Sequence, residues 1–483
     1  MEISNHYRNL GDQFSQDSTP TKVEAPELFL WNNALANQLG LPQSLQSDPH
    51  ALAQYFSGNQ LLSGSTPVST AYAGHQFGGF NPQLGDGRAH LLGEVLDSTG
   101  SLQDIQLKGS GQTPFSRGGD GRCALGPAVR EFIMSEAMIA LGVPSTQCLA
   151  VVTTGETVYR EQPHPGAVVT RTGSSHLRVG SFQFFAARRD IDALTTLSDF
   201  AIQRHYQGIR KLPGNPYVHL LDQVIEKQIE LIVEWMRVGF IHGVMNTDNT
   251  AISGETIDFG PCAMLGAYNP ATVYSSIDVQ GRYAFGNQAP IAHWNMARFA
   301  ECLLLLLKDD DALMTEVSSL IETFQTRYQS RYWAMMANKM GLDSVSQNDS
   351  ELITALLDQL AEQKLDYTIT FNTMTKSLSC DLSKSTIKTQ LGDIYERWQE
   401  RLGEQNEDLL TIQARMRKSN PAVIPRNHHI EAVLAACEAS GAATPALDIL
   451  DVLRQPYTET DKTAHYQSQP QDGDCEYQTF CGT

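Results

Sequence analysis

His242-Gly-Val-Met-Asn-Thr-Asp-Asn-Thr-Ala-Ile-Ser-Gly-Glu-Thr-Ile-Asp-Phe-Gly260 is the stretch on which the fold of this chain turns. It sets His242, Asp248, Asn249 and Asp258 within seventeen residues. An apolar stripe of helical spacing runs directly before it, through Val218, Leu221, Val224, Ile225, Ile229, Ile232, Trp235 and Met236, and Gly239 stops it. Residues 250–253 and 256–258 are strand-prone runs around Gly254-Glu255, which predicts a hairpin with Asn249 and Asp258 at the same end. A divalent cation could be held between that amide oxygen and that carboxylate.

The order resembles that of protein kinases, which follow a His with a base Asp, an Asn five residues later, and the Asp of Asp-Phe-Gly beyond a hairpin. Asn249 and Asp258-Phe259-Gly260 fit. Two residues after the His stands Val244, which cannot accept a proton, so phosphoryl transfer in the orthodox manner lacks its base. Asp248 offers a carboxylate elsewhere. Each piece alone has an ordinary explanation, since Asp-Asn pairs are common in turns and single histidines are usually core residues. Their joint order and spacing favour a nucleotide site.

With 483 residues the chain can bury a large core, and its formal charge of −19 opposes a nucleic-acid partner. Arginines nevertheless gather at positions 117, 122, 130, 171, 178, 188 and 189, a set suited to a small polyphosphate. Eight cysteines without a Cys-x-x-Cys pair do not make a disulfide scaffold. The N-terminal residues carry no secretory or import character, and the apolar run 302–307 is too short for a bilayer. A soluble, cytoplasmic protein without membrane contact is expected.

In chain order, residues 27–39 read as helix, ended by Gly40 and Pro42. The glycine-rich run from Tyr72 to Arg88 reads as a close-packed loop with Arg88 as a phosphate contact. Strands are expected at 89–95 and 102–107, the second ending in Lys108, a candidate phosphate lysine. The loop 109–122 has neither Walker A nor Gly-x-Gly-x-x-Gly spacing, which removes P-loop and Rossmann readings. A helix from Pro127 to Gly142 carries Glu131, a candidate ion-pair partner of Lys108. Strands at 147–152, 157–160 and 167–171 complete a small lobe, and Arg171 and Arg178 flank a Gly/Ser turn. Helices are expected at 294–307, 313–328 and 430–440, and residues 455–483 read as a polar, partly mobile tail.

Taken together, Gly74-His-Gln-Phe-Gly, Leu84-Gly-Asp-Gly-Arg, Gln106-Leu-Lys-Gly-Ser-Gly, Arg130-Glu-Phe, Ser135-Glu-Ala-Met, Thr170-Arg, Leu177-Arg-Val-Gly-Ser-Phe, the His242 motif, Asp258-Phe-Gly-Pro-Cys and the tail cysteine resemble the selenoprotein O (YdiU) family over nearly the full length. The resemblance implies an α+β, protein kinase-like two-lobed fold with an N-terminal extension (1–88), a small nucleotide-binding lobe (89–175), a catalytic helical lobe (176–310), a mostly helical C-terminal region (311–454) and a tail (455–483). It also implies adenylyl transfer from ATP, bound in inverted orientation, to Ser, Thr or Tyr hydroxyls of substrate proteins. By motif, Asp248 is the proton acceptor, and Asn249 and Asp258 bind Mg2+ or Mn2+. Lys108 contacts phosphate and pairs with Glu131, and Arg171 and Arg178 hold the distal phosphate. Gly85, Gly87, Arg88, Asp120 and Gly121 are further nucleotide positions, and Cys262 and Cys481 are a redox-sensitive pair with Cys475 as a rival partner. UMP transfer from UTP with manganese, orthodox protein phosphorylation and an inactive nucleotide-sensing module are the alternatives.

Overall fold

The computed structural model describes residues 3–307, 310–470, 474 and 477–479. Its N-terminal part is built on a mixed-length antiparallel sheet. Strands β1 (Ser15–Asp17), β2 (Glu27–Trp31) and β3 (Val68–Thr70) precede a small separate hairpin, β4 (Gly74–Gln76) with β5 (Gly79–Asn81). Then come β6 (Ala89–Leu96), β7 (Leu102–Lys108), β8 (Cys123–Ala124), β9 (Gln147–Tyr159) and β10 (Pro163–Gly173). The main sheet has the order β1-β3-β6-β7-β10-β9-β2, with β8 beside β10. Strands from the first 70 residues therefore form both edges of a sheet whose centre is encoded later.

Two-residue alternation divides the sheet's faces. Leu92, Ile105, Leu107, Val152 and Val168 pack with Leu35, Ala36, Leu39, Leu52, Ala53 and Phe56, which come from helix α1 (Asn33–Gln38) with its C-terminal flank and from helix α3 (Pro49–Phe56), the short α2 (Gln43–Gln46) lying between them in sequence. Leu91, Val151 and Val169 turn to the other face, against α4 (Leu125–Ala140). That core continues into helices α5 (Val179–Arg188), α6 (Ile191–His205), α7 (Pro216–Val238), α8 (Gln288–Leu304) and α9 (Asp311–Met340). The described chain beyond α9 is helical, from Gln347–Glu362 to Asp461–Tyr466. No helix of the described residues is long and apolar enough to cross a membrane.

Several sequence expectations change. Residues 27–31 are strand rather than helix, because Leu28 and Leu30 pair with Val152 and Val151 of β9, and the helix begins only after Asn32, whose side chain accepts from Leu35 N. The strands expected at 147–152 and 157–160 are one continuous strand. Residues 250–253 and 256–258 do not pair with each other. Ala251 bridges to Arg178 and Thr256 to Ser145, with Val179 N donating to Thr250 O (2.9 Å) and Thr146 N to Thr256 O (3.0 Å). The ladder lies outside the motif instead, where β11 (Phe240–Ile241) pairs with β12 (Ala263–Met264) and closes residues 242–262 as one loop. The described part of the tail is packed: Thr479 N donates to Tyr274 O (2.7 Å) and Thr479 Oγ1 to Pro261 O (2.7 Å).

Candidate functional site

Lys108 ends β7 opposite Val169, and Arg171 lies two residues further along β10 opposite Gln106, so both side chains leave the same sheet face diagonally. Helix α4 passes over that face and supplies Glu131. The Lys108 ammonium donates to Glu131 Oε2 (2.8 Å) and to Asp258 Oδ1 (3.1 Å). Arg171 Nη2 donates to the same two atoms (3.0 and 3.1 Å), and its Nε donates to Glu131 Oε1. Two buried cations thus face two carboxylates, which leaves no uncompensated charge. Burial alone would raise the Asp258 carboxyl, but Lys108, Arg171 and Arg88 outweigh it and hold the group ionised, well below the usual range. Burial opposes ionisation of Glu131 too, and Arg171 and Lys108 again reverse it.

Asp258 sits at φ 67°, in the left-handed region, a strained position for a non-glycine residue and one that recurs at functional sites. His242 holds the loop in this shape: its Nε2 lies 2.9 Å from Ile257 O, and its backbone N donates to Gln288 Oε1 (3.1 Å). It is a fully buried pin rather than a reacting group. The Asp258 side chain keeps 29% exposure, an open edge toward which a phosphate or cation can approach.

Asp248 occupies a separate position, in the 3-10 turn Thr247–Asn249. Its Oδ2 accepts from Gln76 Nε2 (3.2 Å), while its Oδ1 is buried without a hydrogen-bond partner among the described residues. Burial pushes the carboxyl up to about 6, against the lowering influence of its own backbone, Arg178 and Gln76. Hairpin β4–β5 walls this carboxylate. His75 N donates to Thr247 Oγ1 (2.7 Å), Thr247 Oγ1 to Gln183 Oε1 (2.6 Å), and Gln183 Nε2 to His75 Nδ1 (2.8 Å). Phe77 N reaches both Asn246 Oδ1 (3.2 Å) and Tyr283 OH (3.1 Å). Gly74 has no side chain because a Cβ there would stand 2.9 Å from Asp248 Cγ.

The remaining predicted positions divide. Asn249 Nδ2 donates to Val244 O (3.1 Å), which leaves its carbonyl oxygen as the available end. Arg178 donates to Asp248 O (3.1 Å) and His176 O (3.2 Å) and lies over the Tyr72 ring. Gly85, Gly87 and Arg88 form a turn against loop 109–122: Thr113 Oγ1 donates to Asp86 O, Ser116 Oγ to Gly87 O, and Gly109 N to Arg88 O. Gly121 closes that loop by accepting from Gly111 N (3.1 Å). Asp120 bonds Arg160 (2.8 Å) and is not joined to the Lys108 cluster. Cys262 is buried, its thiol pushed up to about 12 by burial despite Arg130, and Cys481 and Cys475 lie outside the described residues. Sequence reasoning missed Gly74, Gln76, Gln183, Thr247 and Tyr283. The motif Gly74-His-Gln-Phe-Gly was the available signal for the first two.

Among the described residues no three His, Cys, Asp or Glu side chains gather to hold a metal. The two predicted ligands offer an ionised carboxylate and an amide oxygen. This hard-oxygen pair suits a cation that keeps waters and phosphate oxygens in its remaining positions. The donor chemistry therefore fits a hard divalent cation shared with a nucleotide.

The family model described as Protein adenylyltransferase SelO matches residues 1–454. A protein nucleotidyltransferase YdiU of Teredinibacter turnerae is 52% identical over 485 residues, covering 100% of both chains. Proteins of the same description from Pseudoalteromonas translucida and Brevibacillus brevis are 50% and 48% identical, covering 100% of this chain and 100% and 97% of theirs.

Proposed function

Because this chain belongs to the SelO family of protein nucleotidyltransferases, we propose that it moves AMP from ATP to Ser, Thr or Tyr hydroxyls of other proteins on a kinase-like scaffold. In this reading residues 89–175 are the small lobe, edged by strands from 1–88, and 176–310 are the catalytic lobe. Residues 311–454 and 455–483 are the helical region and the tail. The observation that carries the proposal is the separation of tasks. Asp248 is a buried carboxylate with one oxygen unpartnered, and Val244, at the kinase base position, is buried and apolar.

Lys108 and Arg171, already aligned by Glu131, give part of their hydrogen bonding to phosphate oxygens, and Arg178 and Arg88 add positive charge from the neighbouring turns. Asn249 and Asp258 would hold the divalent cation, which supplies neutralisation of charge on the phosphates. The acceptor oxygen attacks the α-phosphorus, the bond from that phosphorus to the bridging oxygen breaks, and pyrophosphate leaves. Asp248 takes the hydroxyl proton at Oδ1. The redox pairing of Cys262 with Cys481 is carried by the resemblance together with the approach of Thr479 to Pro261.

Incubation with ATP labelled at the α or the γ position, in the presence of protein acceptors, tests the reading. Label from the α position alone should enter protein. Entry of γ label alone establishes phosphorylation, and entry of neither with magnesium or manganese leaves a binding module. Transfer from labelled UTP in preference to ATP would replace AMP by UMP.

A further inference from the structure

In a chain of net charge −19, two arginines flank hairpin β4–β5 without a carboxylate ion pair among the described residues. Arg188 lies at its base, donating to Pro82 O (3.1 Å) just after the hairpin and stacking 3.6 Å from the Phe184 ring centroid. Arg282 lies at its turn, with its guanidinium carbon 3.8 Å from where a Cβ on Gly78 would stand and 4.8 Å from the Trp294 ring centroid. Asp278, the acid nearest Arg282 in sequence, is buried, and its oxygens accept from the backbone N of Arg282 and Tyr283. Arg298, on the same indole, is matched by Glu301 at 2.7 Å.

Between these arginines the hairpin exposes Phe77, at its turn (39%), and Phe80, in β5 (42%). These rings are not loose. Phe80 packs at 4.8 Å on His75, which meets Trp294 edge-on at 5.1 Å, and Phe77 packs at 5.1 Å on Tyr283. Gln76, on the same hairpin, donates to Asp248 Oδ2. Whatever rests on the hairpin is therefore adjacent to the carboxylate that receives the acceptor's proton. Preorganised aromatic rings with flanking arginines are the composition of binding hot spots. The overall negative charge would repel an acidic partner everywhere except at such a local patch.

Resting on the transfer reading above, we propose that the hairpin is the acceptor-docking surface, and that it selects hydroxyl residues in segments that carry apolar side chains and are flanked by carboxylates. Phe77 and Phe80 take the apolar side chains, and Arg188 and Arg282 pair with the carboxylates on either side.

The test uses the full chain and two fluorescein-labelled peptides, a Ser flanked by Leu and then by Asp and Glu, and its Asn and Gln counterpart. Anisotropy without nucleotide should show the acidic peptide binding roughly five- to tenfold tighter at low salt, as two partly exposed charge pairs would give, with the preference shrinking as salt rises. Arg188→Gln and Arg282→Gln should each erode the preference and raise KM for the acidic peptide. Phe80→Ser should weaken both peptides alike. Equal binding by the unmodified protein overturns the proposal without recourse to any variant, and so does an Arg282→Gln effect confined to ATP affinity. Preferential binding with no α-label transfer to either peptide would retain the docking surface and remove the chemistry. Transfer to both with equal KM would do the reverse.

Discussion

Gly74→Ala isolates the position of the Asp248 carboxylate as a determinant of rate. The added methyl would stand 2.9 Å from Asp248 Cγ and 3.0 Å from its Cβ, and nearer still to Oδ1, where nonbonded heavy atoms settle at roughly 3.5 Å. Residue 74 does not have positive φ, so alanine can take the backbone without strain and the clash alone is tested. Neither side yields freely. The hairpin is bonded to Thr247, Asn246 and Tyr283, and behind Asp248 its Cα lies 3.3 Å from where a Cβ on Gly180 would stand. The carboxylate must move by up to about 1 Å, a displacement that costs on the order of 100-fold at a reacting group. Overpacking adds about 1–3 kcal/mol of destabilisation. The assay is the initial rate of α-label incorporation at saturating ATP, beside calorimetric ATP affinity and thermal midpoint. ATP affinity should be unchanged, because the contacts of the Lys108 cluster do not include residue 74. An undiminished rate in a folded Gly74→Ala protein would refute the assignment of Asp248 as proton acceptor.

Glu131→Ala should lower stability by about 3–5 kcal/mol, since it leaves Lys108 and Arg171 to share Asp258 alone; a urea midpoint equal to that of the unmodified protein would contradict the buried network. Stability should also fall as pH drops from about 6.5 to 4. Burial depresses the imidazoles of His90 and His205 to about 4, so the unfolded chain binds protons in that window that the native state refuses. The loss is on the order of 3 kcal/mol per residue at most, and His205→Gln should flatten the dependence of denaturant midpoint on pH. Chelation with EDTA should abolish transfer and leave the thermal midpoint in place, because Asn249 and Asp258 are held by protein groups; a large fall in midpoint would mark the cation as structural.

The sequence made the long elements and the Lys108–Glu131 pair legible but concealed most other partners. Helix α7 emerges from its apolar stripe and Gly239 cap, and the Lys108–Glu131 pair from a strand end followed by a helix. The Asp258 motif was legible in order but not in pairing. Two short β-prone runs around a Gly-Glu turn favour a local hairpin on propensity, whereas the folded chain offers both runs better partners at Arg178 and Ser145, more than 70 residues away. Residues 27–31 were misread because an alternating edge strand and the first turn of a helix share the same apolar content at this length. Gln76 and Gly74 were hidden for another reason. Their meaning comes from a contact with Asp248, 172 residues on for Gln76, and the Gly74-His-Gln-Phe-Gly motif marks the place without naming that partner.

The sheet's order also imposes a wait during synthesis. Glu27 of β2 lies 126 residues before Thr153, beside which it comes to rest. At translation rates of about 5–20 residues per second, strand β2 emerges roughly 6–25 s ahead of its partner. Strands β1, β3, β6 and β7 can pair as they emerge, whereas β2, at the other edge, has no partner until β9 is made. For that interval Leu28, Leu30 and Trp31 are an apolar edge without a neighbour, the kind of segment that holdase chaperones bind and that mispairs when they are scarce. Slowing translation before residue 147 should thus lengthen the exposure and lower the yield of soluble chain, whereas the same pause after residue 173 should not.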